Sequence, residues 1–142
     1  MQVDWSTVEA VARTRAIDMW LLFPLGIGVN RLATRSGDIP IGWREALTRL
    51  FGTTDWEERF YRTETVPDLF DGERERIVKA SQDVIGSFFV ERLRSIFAAV
   101  LDPPLVLRNS LQNPLYLLCF AAGNEKGGAI ALKIARHLVR NL

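Results

Sequence analysis

Two uninterrupted apolar runs dominate the hydrophobic pattern of the chain. The first covers 19–23 and the second 115–122, and in neither do apolar residues alternate with polar ones. Such runs are typical of strands buried on both faces. A shorter apolar segment, 105–107, precedes the second run, and a turn containing Asn and Pro separates the two. The pattern therefore predicts three strands, and the short connection predicts that the last two are antiparallel neighbours.

Helical periodicity covers much of the remaining chain. The apolar positions of 41–51 recur at i, i+3, i+4, i+7 and i+8, and Gly52 follows at the position typical of a helix end. A longer pattern over 74–100 predicts a helix that the polar run 81–83 divides into two pieces. Residues 129–140 complete the set with a last helix. We expect these helices to cover the strands.

The segment 38–72 reads as an inserted helical region. It contains the amphipathic helix after Pro40 and a shorter helix near Trp56. Its last part, 63–72, is polar and contains Pro67, which predicts an irregular connection. The apolar pair Leu69–Phe70 within it is expected to dock on the core.

The order of elements predicts an α/β fold in one domain. Helix, strand, helical insertion, long helix and two antiparallel strands are followed by a last helix. This order is similar to the C-terminal half of a class I methyltransferase-like, Rossmann-type sheet. A fold analogy of this kind does not establish a function.

Charge and cysteine content narrow the function classes. The formal net charge is +1, so no bulk attraction to nucleic acid or to an anionic membrane is expected. Acidic residues outnumber basic ones over 38–76, whereas basic residues predominate over 77–142. The single cysteine, Cys119, lies in an apolar run and is expected to be buried and unreactive. No secretory signal is recognisable, so a cytoplasmic location is expected.

The turn after the first strand is the first candidate ligand site, because ligands of α/β sheets bind beyond the carboxyl ends of strands. Gly26 and Gly28 are predicted to contact a ligand, or else to form a tight turn. Asn30, Arg31 and Arg35 follow them. The two arginines could hold a phosphate or a carboxylate through forked hydrogen bonds, or could pair with the acidic residues of the insertion.

Two further sets of polar residues follow the later strands. Arg108 and Asn109 come directly after 105–107 and are predicted either to form a turn or to contact a ligand. Asn124 comes after 115–122, where it is predicted either to cap the last helix or to contact a ligand. The last helix carries a basic stripe, predicted to lie opposite Ile130, Ile134 and Leu138. Its members are Lys133, Arg136, His137 and Arg140. The stripe is interpreted as a solvated face, with nucleic-acid binding as the alternative. No catalytic set and no metal site are predicted.

Four segments carry a resemblance to a known family: 3–12, 18–32, 88–97 and 114–124. In order, they resemble the C-terminal half of the bacterial three-Cys-motif partner proteins. Members of that family have a methyltransferase-like α/β fold and associate with a separate three-cysteine-motif protein. The resemblance implies that the strand 19–23 corresponds to the fifth strand of a methyltransferase-type sheet, and 105–107 and 115–122 to the sixth and seventh.

The resemblance also implies what this sequence lacks. The family carries a glycine-containing acidic motif after the first strand and an Asp-Pro-Tyr/Phe-Gly motif after the fourth, and neither occurs here. S-adenosylmethionine would bind at those loops, so no cofactor is expected for this chain alone.

Two interpretations of function follow. The chain is a non-catalytic interaction or assembly module that forms a homo-oligomer through an exposed sheet edge, with a three-Cys-motif protein as a further partner. Alternatively, it is one wall of an S-adenosylmethionine-dependent methyltransferase site that other sequence completes.

Overall fold

The computed structural model describes residues 3–142 of the chain. These residues form six α-helices and six strands, with one π-helical turn at Leu25–Val29. The helices are α1 (Trp5–Arg13), α2 (Asn30–Leu32), α3 (Ile41–Phe51), α4 (Trp56–Phe60), α5 (Gln82–Arg94) and α6 (Gly128–Arg140). The strands are β1 (Met19–Phe23), β2 (Tyr61–Pro67), β3 (Glu73–Lys79), β4 (Ala99–Val100), β5 (Leu105–Arg108) and β6 (Pro114–Ala122).

Strand β6 is the centre of a four-stranded antiparallel sheet. Along one edge it pairs with β1, from Met19 opposite Ala121 to Phe23 opposite Leu117. Along the other edge it pairs with β5 and then with the two-residue β4. The three predicted strands are thus confirmed. The fourth strand was not predicted because the helical pattern assigned to 74–100 wrongly included its two residues, whereas α5 ends at Arg94.

The two faces of this sheet meet different helices. Residues of one face, including Phe23 and Cys119, join the large core formed with α1, α3, α4 and α5. Residues of the other face, Phe120 and Ala122, pack with Ala135 of α6. Strand β6 is buried on both faces over its second half, as its unbroken apolar run predicts.

Aromatic side chains fill the larger core. Phe23 stacks on Phe89 with ring centroids 4.2 Å apart, and Phe51 contacts both Phe60 and Phe88. Trp56 is fully buried and donates its Nε1–H to the Thr48 hydroxyl over 3.1 Å. Close aromatic pairs of this kind fix how the helices of the insertion lie against the sheet.

A β-hairpin replaces two predicted elements. Residues 63–72 were expected to be irregular and 74–80 to be helical, but 61–67 and 73–79 form an antiparallel two-stranded sheet, β2–β3. The prediction was wrong because Ile77 and Val78 continue the helical period of α5 only by coincidence. Cross-strand pairs, with Glu64 opposite Arg76, stabilise the strands instead. The insertion is therefore only partly helical.

The tip of this hairpin contradicts a second expectation. Leu69 is 95% exposed and Phe70 is 89% exposed, so the pair does not dock on the core. The two side chains lie beyond the ends of β2 and β3, where no element of residues 3–142 covers them.

Helix α6 packs through a different face from the one expected. Gly128 and Ala135 are buried, and a Cβ on Gly128 would lie 3.3 Å from the Cβ of Ala99. Small residues thus let the helix approach the sheet closely. Ile130, Ile134 and Leu138 are exposed, and so is the basic stripe of Lys133, Arg136, His137 and Arg140.

Helix α1 begins at Trp5, and Asp4 occupies its N-cap position without a side-chain hydrogen bond. Among residues 3–142, no helix combines the length and apolarity that crossing a membrane requires.

Candidate functional site

The turn after β1 sets the position of the first candidate residues. Leu25 and Val29 of the π-helical turn are buried, and the turn packs on the start of β6. A Cβ at Gly26 would collide with the carbonyl oxygen of Pro114, and a Cβ at Gly28 would lie 3.0 Å from Pro24. The space around both glycines is thus occupied by the protein itself, which accounts for them as packing positions.

Strand β3 lies opposite the residues that follow this turn. A cleft of about 700 Å³ separates residues 30–35 from β3. Arg31 and Arg35 lie on one wall, and Arg76 and Lys79 of β3 lie on the other. We call this the cationic cleft. Its remaining lining residues carry amide, hydroxyl or apolar side chains, and no carboxylate of residues 3–142 is among them: Asn30, Ala33, Thr34, Ile77, Val78, Ala80, Ser81 and Gln82.

Lys79 joins the two walls of the cationic cleft. Its Nζ donates to the backbone oxygen and to Oδ1 of Asn30, each over 2.7 Å. Burial lowers the pKa of Lys79, and the nearby Arg35 guanidinium lowers it further. Asn30 therefore positions a lysine, a role that the sequence did not predict.

Tyr61, the first residue of β2, contacts the same region. Its hydroxyl donates to the backbone oxygen of Thr34 over 2.6 Å, and burial raises its pKa. Gly37 has a φ of +74°, and a Cβ there would lie 3.3 Å from Ile77. These contacts hold the loop after Arg35 against β3.

The arginines of the cationic cleft differ in their partners. Arg76 forms an ion pair with Glu64 at 3.3 Å, and Glu64 also pairs with Arg62. Within the part of the chain that the structure describes, Arg31 and Arg35 form no ion pair. The predicted alternative, pairing with acids of the insertion, is thus not what the two arginines do.

Arg108 and Asn109 close the turn between β5 and β6. Arg108 donates to the backbone oxygen of Gln112 over 3.0 Å, and Oδ1 of Asn109 accepts from the backbone N–H of Leu111 and Asn113. Neither residue lines the cationic cleft. Both have local partners that define the turn.

Asn124 lies at the opposite end of the sheet from the turn after β1. Its Oδ1 accepts from the backbone N–H of Lys126 and Gly127, immediately before α6. Strand β6 runs antiparallel to β1, so its carboxyl end lies beside the start of β1. Asn124 therefore organises the turn into α6, and the structure does not bring it near Asn30.

The outer edge of β1 is a second candidate surface. Strand β1 pairs with β6 on one side only. Trp20 is 43% exposed and Leu22 is 52% exposed. Beside them lies an apolar cavity of about 400 Å³, lined by side chains that include Leu21, Ile27 and Tyr116. We call Met19–Phe23 with this unpaired side the open edge.

Metal-binding and nucleophilic side chains are the remaining candidates for chemistry. Among residues 3–142, no three His, Cys, Asp or Glu side chains converge as metal ligands would. Cys119 is buried, and burial raises its pKa to about 12. His137 is exposed on α6.

Sequence reasoning found one wall of the cationic cleft and missed the other. Arg76 and Lys79 were assigned to a helix, which placed them away from Arg31. Alternating charges at 73–76 followed by Ile77 and Val78 are the strand signal that could have revealed them.

Comparisons of the chain with protein-family models, with curated proteins and with solved structures found no match.

Proposed function

We propose that this chain is a non-catalytic assembly module that pairs with a second copy of itself through the open edge. The observation that carries this proposal is that β1 has a hydrogen-bonded neighbour on one side only. Alternate residues of such a strand direct backbone N–H and C=O groups away from the sheet, ready to pair with another strand.

The composition of the open edge favours a like partner. Met19–Phe23 contains no charged residue, so antiparallel pairing of two copies brings no like charges together. Natural proteins usually protect a free edge with charges or proline within the strand. This strand has neither, and it exposes Trp20 and Leu22. A twofold pairing of β1 with β1 would join two four-stranded sheets into one and bring the Trp20 and Leu22 side chains of the two copies together on one face.

The arrangement of strands supports a methyltransferase-like origin for the module. The β5–β6 hairpin closes the sheet beside β1, and β6 runs antiparallel to its neighbours. We propose that the chain corresponds to the C-terminal half of a three-Cys-motif partner protein, with a three-Cys-motif protein as a further partner.

The residues present do not fit S-adenosylmethionine. A glycine-rich loop binds such a cofactor because its bare backbone can approach the ligand. Here the Gly26 and Gly28 backbone is packed against Pro114 and Pro24. We therefore assign no methyl transfer to this chain alone.

Two single substitutions, each of which introduces a lysine, test the assembly proposal. Leu22→Lys places a charge on the open edge. Ile41→Lys places the same charge at the start of α3, where the Ile41 side chain is 75% exposed. Both side chains are exposed, so neither change should disturb the core. We expect sedimentation velocity to show a dimer for the unmodified chain and for Ile41→Lys, and a monomer for Leu22→Lys. Dimers in all three proteins would place the interface elsewhere.

A further inference from the structure

We propose that the cationic cleft is a binding site for a polyphosphate anion, such as inorganic tripolyphosphate or the triphosphate group of a nucleotide. The site is separate from the open edge, because none of its lining residues belongs to β1. Binding and assembly can therefore be tested independently.

The distribution of charge is the first argument. The whole chain carries a formal net charge of only +1, yet Arg31, Arg35, Arg76 and Lys79 line one cleft. No carboxylate among the described residues lines it with them. Cations gathered on concave walls focus a positive potential into the space between them, which raises the local concentration of anions.

The surroundings of the Lys79 ammonium group are the second argument. It lies partly buried beside Arg35, another cation, and its hydrogen-bond partner Asn30 is neutral. The ammonium group has three N–H donors, and Asn30 accepts two hydrogen bonds from it. One donor is thus left for the cleft. A bound anion would supply the opposite charge that Asn30 does not provide.

The start of α5 adds donors to the same cleft. Ser81 is the N-cap residue, and its side chain makes no capping hydrogen bond. Ser81 and Gln82 both line the cleft. The first-turn N–H groups of a 13-residue helix lack partners within the helix and favour negative charge. Asp83 also belongs to this first turn, but it is not among the lining residues.

The size and charge of the cleft favour a polyphosphate over a single carboxylate. Arg31, Arg35 and Lys79 have no carboxylate partner among the described residues and together exceed what one carboxylate can neutralise, whereas a triphosphate offers several charges along its length. Guanidinium groups bind phosphate oxygens through paired hydrogen bonds. A volume of about 700 Å³ is within the usual range for small-ligand sites.

Recognition in this cleft is directed at phosphate and not at a nucleobase. No aromatic side chain of residues 3–142 lines the cleft, so none is placed to stack on a base. Arg76 already pairs with Glu64, but Glu64 is itself shared with Arg62. An anion in the cleft therefore competes for Arg76 with a carboxylate that retains a second partner.

Calorimetric titration with inorganic tripolyphosphate tests the site. The unmodified chain should bind it at least about tenfold more tightly than orthophosphate, because more cations are engaged. The variant Arg31→Gln/Arg35→Gln should weaken binding by about tenfold or more. Both side chains are exposed and unpaired within residues 3–142, so the fold should persist.

A matched control removes the same charge elsewhere. Lys133→Gln/Arg136→Gln takes two cations from the exposed face of α6 and should change the affinity less than about twofold. Equal loss in both variants, or no binding by the unmodified chain, would overturn the proposal. So would tighter binding of a single-stranded oligonucleotide that only the α6 variant loses, since this would assign anion binding to the basic stripe.

Discussion

Gly52 shows how one residue constrains the packing of two helices. It ends α3 with a φ of +68°, and a Cβ there would collide with the ring of Trp5. The backbone conformation requires glycine, and so does the contact with α1. The sequence predicted the helix end at this position. It could not predict the contact, because Trp5 lies far away along the chain.

Substitution of Gly52 should therefore destabilise the protein strongly. Gly52→Ala combines a left-handed backbone conformation with overpacking against Trp5, and we expect a loss of about 2–4 kcal/mol. Gly42 provides the control, since a Cβ there would meet nothing within 4 Å. Gly42→Ala in α3 should be neutral or stabilise by up to about 1 kcal/mol. Urea unfolding measures both, and similar values for the two variants would contradict this account of Gly52.

The Cys119 thiol should react only when the chain unfolds. It is 1% exposed, and burial raises its pKa to about 12, so the nucleophilic thiolate is scarce at neutral pH. We expect iodoacetamide to label the native chain far more slowly than a Ser110→Cys variant, whose added thiol lies in the exposed turn after β5. In denaturing urea, Cys119 should react at the same rate as that reference. Rapid labelling in native buffer would show that the core opens.

The raised pKa of Cys119 makes the stability of the fold depend on pH. The unfolded chain loses the Cys119 proton near the usual pKa of 9.0, whereas the folded chain keeps it to about 12. The unfolded state thus binds fewer protons in this interval, and this group makes folding less favourable as the pH rises from 9 to 12.

At the scale of elements, the strands with continuous apolar runs could be predicted from the sequence, and the β2–β3 hairpin could not. Strand β6 lies between two layers of helices, so burial leaves a continuous apolar run in its sequence. Strand β1 carries a similar run, but the expectation that it is buried on both faces is wrong, since Trp20 and Leu22 are exposed. Strands β2 and β3 are largely exposed on both sides, and little hydrophobic pattern identifies them. Their pairing depends on contacts between residues of the two strands, which a helical period near Ile77 obscured.

The exposed hairpin tip should contribute little to stability. Leu69→Ser/Phe70→Ser removes two apolar side chains that are almost fully exposed, and the free energy of unfolding should change by less than about 0.5 kcal/mol. Phe60→Ala, in the buried aromatic cluster, should cost about 3–5 kcal/mol. Chemical denaturation compares them. A large loss for the tip variant would mean that Leu69 and Phe70 are buried in solution, for example between copies of the chain.

The same dependence on contacts between distant residues explains why only part of the candidate site could be predicted. Arg31 and Arg35 could be found because they follow a strand that the sequence predicts. Arg76 and Lys79 belong to the hairpin, so the cationic cleft exists only once β3 is placed beside the turn after β1. Residues such as Asn109 and Asn124, in contrast, have short-range partners that turn chemistry anticipates.

At the scale of the whole molecule, the open edge and the cationic cleft are two separate surfaces with different chemistry. One offers unpaired backbone and apolar side chains. The other offers cations with no carboxylate of residues 3–142 among its lining residues. These two surfaces are the basis on which we propose assembly and anion binding as the function.

The most direct test of assembly is the mass of the unmodified chain in solution over a range of concentrations. Sedimentation equilibrium should give twice the 16.1 kDa of the chain at high concentration and should resolve dissociation on dilution. The Leu22→Lys variant should remain at the mass of one chain throughout. A monomer for the unmodified chain at every concentration would contradict the proposal that the open edge pairs two copies.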